Sequence, residues 1–190
     1  KDILNLVYLC RHYGLEEVAA YWEQVVALNT WQQHRIARLV VTKLFGTVTG
    51  KRLAVLGFAF KADTNDTRES PAIRICQDLL EEGAELVIVD PKVPEAQIAK
   101  DLAQAPRRED ASAQISDGGG GWQMASSAVA AAEGADAVLL LTEWAEFGDL
   151  DWQGIGAVMR QPAWLFDARA TADAGAARSA GLKVWRVGEG

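Results

Sequence analysis

Arg52-Leu-Ala-Val-Leu-Gly57, Glu85-Leu-Val-Ile-Val-Asp90 and Ala135-Asp-Ala-Val-Leu-Leu-Leu-Thr142 decide the fold. Each is a short apolar run closed by a turn-forming or polar residue, the pattern of a strand buried on both faces. Between the first two, Ser70-Pro71 sets a capping side chain directly before a Pro at the first helical position. Ile73, Cys76, Leu79 and Leu80 then form the apolar face of a helix that ends near Gly83. A helical segment over Met124–Glu133 precedes the third run. Ala163-Trp-Leu-Phe-Asp167 and Leu182-Lys-Val-Trp-Arg186 supply two more strands, with helices predicted at about 151–160 and 173–180. Strands that alternate with helices predict an α/β fold with a doubly wound parallel sheet. The stretch 105–122, with paired arginines and four consecutive glycines, reads as a variable surface loop.

Upstream, the pattern changes. Ile3, Leu6, Val7 and Cys10 recur at helical spacing as far as Gly14, and neither Gly nor Pro occurs between Leu15 and Phe45. A helix over that span is about 47 Å long, two to three times the usual length. Such an element is half of a helical interface or a strut between domains, and Trp22 and Trp31 are its packing aromatics. The division predicted is 1–46, a central helical dimerisation and linker region, followed by 47–190, the sheet domain.

Composition narrows the classes. The chain has 190 residues, 49% hydrophobic and 24% charged, which excludes fibrous and globally disordered readings. A net charge of −7 disfavours a nucleic-acid partner. No apolar run reaches the roughly 18 residues that a membrane span requires. The two cysteines, Cys10 and Cys76, stand in unrelated contexts, which argues for a reducing, cytoplasmic compartment and against a disulfide framework or thiolate zinc site. His12 and His34 have no partner at metal-ligand spacing, so no metal is expected. The start at Lys1, with neither an initiator Met nor a signal-peptide layout, reads as a piece of a longer protein.

Ligands of open α/β sheets bind beyond the carboxyl ends of the strands, near the point where strand order reverses. Gly57-Phe-Ala-Phe-Lys-Ala-Asp-Thr-Asn-Asp-Thr-Arg-Glu-Ser70 offers Lys61, Arg68 and a helix N-terminus to an anion. It lacks G-x-G-x-x-G and the Walker A spacing, so a polar surface loop is the other reading. Asp90-Pro91 reads as a turn. Thr142-Glu143-Trp144 is a helix start or a pocket wall, and the helix start is preferred. Asp167-Ala-Arg169 adds another cation to the edge that carries Lys61. Several cations on one edge of an acidic chain suggest a small anionic ligand such as a nucleotide.

Lys1-Asp-Ile-Leu-Asn-Leu-Val-Tyr-Leu-Cys10, the 57–70 segment, Asp90-Pro-Lys-Val93, Thr142-Glu-Trp144 and Phe166-Asp-Ala-Arg169 resemble, in order and interval, the UDP-glucose 6-dehydrogenase family. The likeness spans nearly the whole chain and lapses around 105–122. It implies a Rossmann-like domain preceded by a long central helix. It further implies an enzyme that oxidises UDP-glucose to UDP-glucuronate with two NAD through a thioester on a cysteine. By the same resemblance the cysteine lies three residues before Lys1, and the NAD site lies on an N-terminal domain of the same protein. The isolated chain is therefore expected to have no turnover. Asp2 matches a catalytic aspartate beside the cysteine, and Lys1 a lysine near the cofactor. Phe60, Lys61 and Arg169 match substrate-binding residues, and Arg68 one that reaches NAD. Ala168 stands where the family often has Gly. The implied assembly is a homodimer or higher homo-oligomer. The rival readings are a non-catalytic nucleotide-binding or dimerisation module, and a dehydrogenase of GDP-mannose or UDP-N-acetylmannosamine.

Overall fold

The computed structural model describes residues 2–103 and 120–189. Six parallel strands form one sheet: β1 Arg52–Leu56, β2 Glu85–Val89, β3 Trp122–Met124, β4 Ala137–Leu140, β5 Trp164–Asp167 and β6 Lys183–Arg186. Their spatial order is β3-β2-β1-β4-β5-β6, so the chain leaves one half of the sheet and returns between β1 and β4. This is the strand order of a Rossmann-like domain, with its switch point at the β1/β4 boundary. Leu53, Ala54, Val55 and Leu56 are fully buried, as are Ala137 through Leu140. A continuous apolar run suits a strand covered by helices on both faces, and each buried Val or Leu contributes about 1.5–3 kcal/mol of transfer free energy.

Helices α3 Pro71–Glu81, α4 Glu95–Ala103, α5 Ala128–Ala132, α6 Trp152–Val158 and α7 Ala174–Ser179 cover the sheet. Most begin on a side-chain cap. Ser70, Ser127, Asp151 and Asp173 accept from the N–H groups of Ala72, Ala130, Gly154 and Ala176, which satisfies donors the first turn leaves free.

At the amino end, α1 Asp2–His12 folds back against α2 Glu16–Lys43. Gly14, at a φ of 71°, lets the chain reverse between them. The 28-residue α2 is about 42 Å long and serves two cores. Val7, Cys10 and Ala19 form a small cluster with Ile3 and Trp22 at one end. Ile36, Ala37, Val40 and Leu44 join the core of the sheet at the other. The strut predicted from the unbroken Leu15–Phe45 stretch is therefore present, and Trp22 packs as expected. Trp31 does not pack within the chain: it is half-exposed, with the Arg35 guanidinium 5.7 Å over its ring.

Two expectations need correction. The helix expected over 124–133 is a three-residue edge strand ending at Met124 followed by a short helix at 128–132. A five-residue Ala-rich turn capped by Ser127 is all the helix that fits between β3 and β4. The structure also adds α4, where Ile98 and Leu102 are buried with too few neighbours to set a period in the sequence. Most of the 105–122 loop lies outside the described residues, although Trp122 itself begins β3.

Candidate functional site

Reversal of strand order brings the exits of β1 and β4 side by side at the carboxyl edge. Gly57 allows this approach. A Cβ at Gly57 would stand 2.7 Å from the Thr142 backbone nitrogen and closer still to Thr142 Cβ, and its φ of +92° is one that side chains rarely adopt. The Thr142 hydroxyl is fully buried and donates to the Ala59 carbonyl at 2.8 Å. Ser70, besides capping α3, donates to the Phe58 carbonyl at 2.8 Å, which ties both ends of the β1–α3 connection together.

Two buried carboxylates shape this edge. Asp90 follows β2. Its Oδ1 accepts from the Lys92 and Val93 N–H groups, both at 2.9 Å, and so forms the expected turn. Its Oδ2 reaches sideways to the Phe58 and Ala59 N–H groups at 2.7 and 3.0 Å and to the Trp144 indole N–H at 3.3 Å. Asp167, which closes β5 and is fully buried, accepts from the Arg169, Thr171 and Ala172 N–H groups. These carboxylates hold the loops after β1, β2 and β5 through backbone donors, and the loop after β4 through the Trp144 indole.

The cations differ in their partners. Lys61 is exposed and has no ion pair among the described residues. Arg68 extends into solvent, its side chain 86% exposed, and grips Asp66 through Nε at 2.9 Å and Nη2 at 2.7 Å. The side-chain hydrogen bond from Arg68, followed by its backbone N–H, holds the Asp66 carboxyl down to about 2. Arg169 donates from Nε to Glu143 Oε2 at 2.6 Å, and its Nη2 contacts the same oxygen. Partial burial raises the Glu143 pKa. Backbone N–H groups, including that of Ala62, and the Arg169 guanidinium outweigh this, so the carboxyl stays below its ordinary range.

The sites expected from the sequence fall into two groups. Lys61, Arg68 and Arg169 all lie on the carboxyl edge, with Phe60 about half-exposed beside Lys61. Arg169 pairs with Glu143 after β4, and the neighbouring Thr142 ties that exit to the loop carrying Lys61, while no hydrogen bond or ion pair joins Arg68 to Arg169 among the described residues. Asp2 lies apart, exposed in the first turn of α1, a helix packed on α2. Lys1 lies outside the described residues. Thr142-Glu143-Trp144 leads into a helix start, as preferred, with Trp144 at the cap of a short 3-10 helix at Ala145–Phe147. The sequence reading did not foresee the Glu143–Arg169 pair, the place of Lys92, or the reach of Asp90 beyond its own turn to Phe58, Ala59 and Trp144. Lys92 stands over the Trp144 ring at 5.7 Å and adds a cation to this edge. A possible signal was available: Glu143 and Lys92 lie inside segments that end buried strands.

A dinucleotide does not fit here. Its cradle requires glycines at the β1 exit and a free acid after β2 to bond the ribose. Here Phe58, Ala59 and Phe60 follow Gly57, and Asp90 already accepts five N–H donors. No group of three or more His, Cys, Asp or Glu residues suited to a metal occurs among the described residues. Burial pushes the Cys76 thiol up to about 12, so it cannot serve as a nucleophile. Two clefts lie elsewhere. One, of about 570 Å³, sits at the amino ends of β1–β3, and another, of about 450 Å³, lies between α2 and α3.

Residues 54–174 match the family described as "UDP-glucose/GDP-mannose dehydrogenase family, UDP binding domain". The chain belongs to this family. It is similar to UDP-glucose 6-dehydrogenase 4 of Oryza sativa subsp. japonica, with 45% identity over 200 aligned residues, covering 100% of this chain and 40% of that protein. The UDP-glucose 6-dehydrogenase of Drosophila melanogaster is 43% identical, covering 100% of this chain and 39% of that protein. The chain thus spans about two fifths of the length of these curated relatives. Among solved structures, a UDP-glucose dehydrogenase from Pyrobaculum islandicum shares the fold, with a TM-score of 0.70 and 24% identity over 97% of this chain and 35% of that one. The UDP-binding domain of this dehydrogenase family accordingly includes the crevice at the β1/β4 switch point.

Proposed function

We propose that the chain is the UDP-sugar-binding part of a UDP-glucose 6-dehydrogenase, an NAD-dependent enzyme that oxidises UDP-glucose to UDP-glucuronate through a cysteine thioester. The 45% identity to an enzyme of that name along the whole chain carries this reading. The cations of the carboxyl edge agree with it. In this proposal Phe60 lies against the sugar nucleotide, and Lys61 and Arg169 meet its diphosphate through charge-assisted hydrogen bonds. Asp2, on the separate helical hairpin, works beside the cysteine of the remaining part of the enzyme, and Lys1 faces the cofactor. NAD belongs to an N-terminal domain of the same protein, since the β1 exit of this chain does not fit a dinucleotide; Arg68, already extended into solvent, reaches toward it. The proposed division is 1–46, helical, and 47–190, ligand-binding.

The same proposal assigns α1 and α2 to a homodimer. Tyr8, Tyr13, Tyr21, Leu28 and Trp31 are exposed along this pair of helices, and a second copy is the occupant that would cover them. Light scattering at tens of micromolar should give twice the chain mass; a strictly monomeric mass overturns the assignment. No described helix is long and apolar enough to cross a membrane. The two free buried cysteines support a cytoplasmic setting.

Calorimetric titration with UDP and UDP-glucose tests the central reading. Both should bind, and Lys61→Ala should weaken binding by about 1.5–3 kcal/mol, the usual value of a hydrogen bond to a charged group. Absence of heat at millimolar ligand overturns the UDP site. Assay of the full-length enzyme against a panel of nucleotide sugars tests the substrate, and preference for GDP-mannose would reassign it.

A further inference from the structure

We infer that Glu143 is a positioning residue of the anion site: it presents Arg169 to the ligand. The inference rests on the UDP-site reading and adds to it a residue whose role is indirect.

Glu143 is the first residue past Thr142 at the β4 exit, between the β1 and β5 loops in the sheet order. Its carboxylate faces both. On one side it takes the Nε–H of Arg169 at 2.6 Å and contacts Nη2. On the other side the Ala62 N–H, one residue beyond Lys61, lies near enough to help lower its pKa. The backbone beneath Arg169 is also fixed. Its N–H donates to Asp167 Oδ1 at 3.0 Å, and the carbonyl of the next residue, Ala170, accepts from Arg186 Nη2 at 2.7 Å. With the main chain held by Asp167 and Arg186, the remaining freedom of Arg169 is in its side chain, and Glu143 removes it.

The guanidinium geometry explains how a paired arginine still serves an anion. Arg has five N–H donors in a planar fork. Glu143 engages the Nε/Nη2 edge, which leaves the Nη1 hydrogens and one Nη2 hydrogen for a second acceptor on the adjoining edge. A phosphate can therefore join without displacing Glu143. The opposing effect is repulsion between the Glu143 carboxylate and the phosphate. Both side chains of the pair are about one third exposed, so that repulsion is screened by water and salt. An arginine left free would have to be ordered by the ligand, and that ordering is subtracted from affinity. Arg68 provides a contrast: its partner Asp66 is two residues away on the same solvent-exposed loop, so the clasp is local.

The test is UDP titration of the 190-residue chain at neutral pH, with Glu143→Ala, Glu143→Gln, Arg169→Ala and the Glu143→Ala/Arg169→Ala pair. Glu143→Ala should weaken UDP about three- to tenfold, the cost of ordering one rotamer-rich side chain. Glu143→Gln keeps an acceptor for Arg169 and should fall between wild type and alanine. In the Arg169→Ala background the effect of Glu143→Ala should shrink, because the two residues act as one unit. A merely structural Glu143 would weaken UDP equally in both backgrounds, and that result overturns the inference. So does tighter binding by Glu143→Ala, which would mean that the carboxylate competes with the ligand. Glu143→Gln carries the test should the alanine variant melt below the assay temperature. A wild-type chain that ignores millimolar UDP removes the site reading itself and this inference with it, whereas a binding wild type with an unchanged Glu143→Ala removes the inference alone.

Discussion

Asp90→Ala tests whether buried carboxylates organise the ligand-binding edge. The side chain accepts five N–H donors, and four of them belong to the buried residues Phe58, Ala59, Val93 and Trp144. Each buried donor left without a partner costs about 1–3 kcal/mol. Simple addition would exceed what single substitutions ordinarily cost. The space vacated by the carboxylate opens toward the edge of the sheet, where water can reach some of the donors. The expected loss is therefore about 3 kcal/mol, near the upper end for point mutants. Asp90→Asn keeps one acceptor oxygen, which can serve the Lys92 and Val93 pair, but turns an amide NH2 toward Phe58, Ala59 and Trp144. It should cost roughly half as much. Urea unfolding followed by far-UV circular dichroism measures both, with the slope checked for constancy. A loss below about 1 kcal/mol for Asp90→Ala would refute the assigned role. Equal losses for Asn and Ala would show that acceptor geometry is not what the position supplies.

Other consequences are as direct. Gly57→Ala should cost about 3 kcal/mol or more in the same assay, and Thr142→Gly should not restore it, because the Thr142 backbone nitrogen remains 2.7 Å from the added Cβ. NMR titration of Asp66 should give a pKa of about 2, rising toward the ordinary carboxylate range in Arg68→Gln, since the Arg68 side-chain hydrogen bond is the main cause and the backbone N–H remains. The Glu143 pKa is lowered in the folded chain, so its contribution to stability is present above the ordinary Glu range and lost as pH falls through the folded value. Wild type should therefore lose stability on acidification below about pH 5 more steeply than Glu143→Gln; parallel stability curves would contradict this. Cys76, held up to about 12 by burial, should resist a thiol reagent at pH 8 until urea unfolds the chain.

The fold was legible where burial wrote itself into composition. β1, β2 and β4 are covered on both faces, and such strands must be apolar without interruption, so Leu53–Leu56 and Val138–Leu140 could be read directly. Ser70-Pro71 marked the start of α3 because both residues act locally, through a cap and a fixed φ. β3 escaped because an edge strand of three residues, half-buried at Trp122 and Met124, has neither length nor alternation to display. α4 escaped because only Ile98 and Leu102 face inward. In the site, the cations were visible as residues but their pairing was not. Arg169 and Glu143 are 26 positions apart and meet only because β4 and β5 are neighbours, a fact of topology rather than of local pattern.

The pairing changes what the acidic balance of the chain means. A net charge of −7 does not conflict with an anion site, because several carboxylates of the carboxyl edge are already committed. Asp90 and Asp167 are occupied by backbone N–H groups, Asp66 by Arg68 and Glu143 by Arg169. Each committed carboxylate removes an internal freedom from a loop or a guanidinium while leaving other donors open. Two cations of this edge without a carboxylate partner among the described residues, Lys61 and Lys92, stand on loops that Asp90 fixes, the first through Ala59 and the second through its own N–H. A diphosphate meeting this edge would therefore find donors whose ordering has been completed by folding, and preorganisation of that kind raises affinity by reducing what binding must still immobilise.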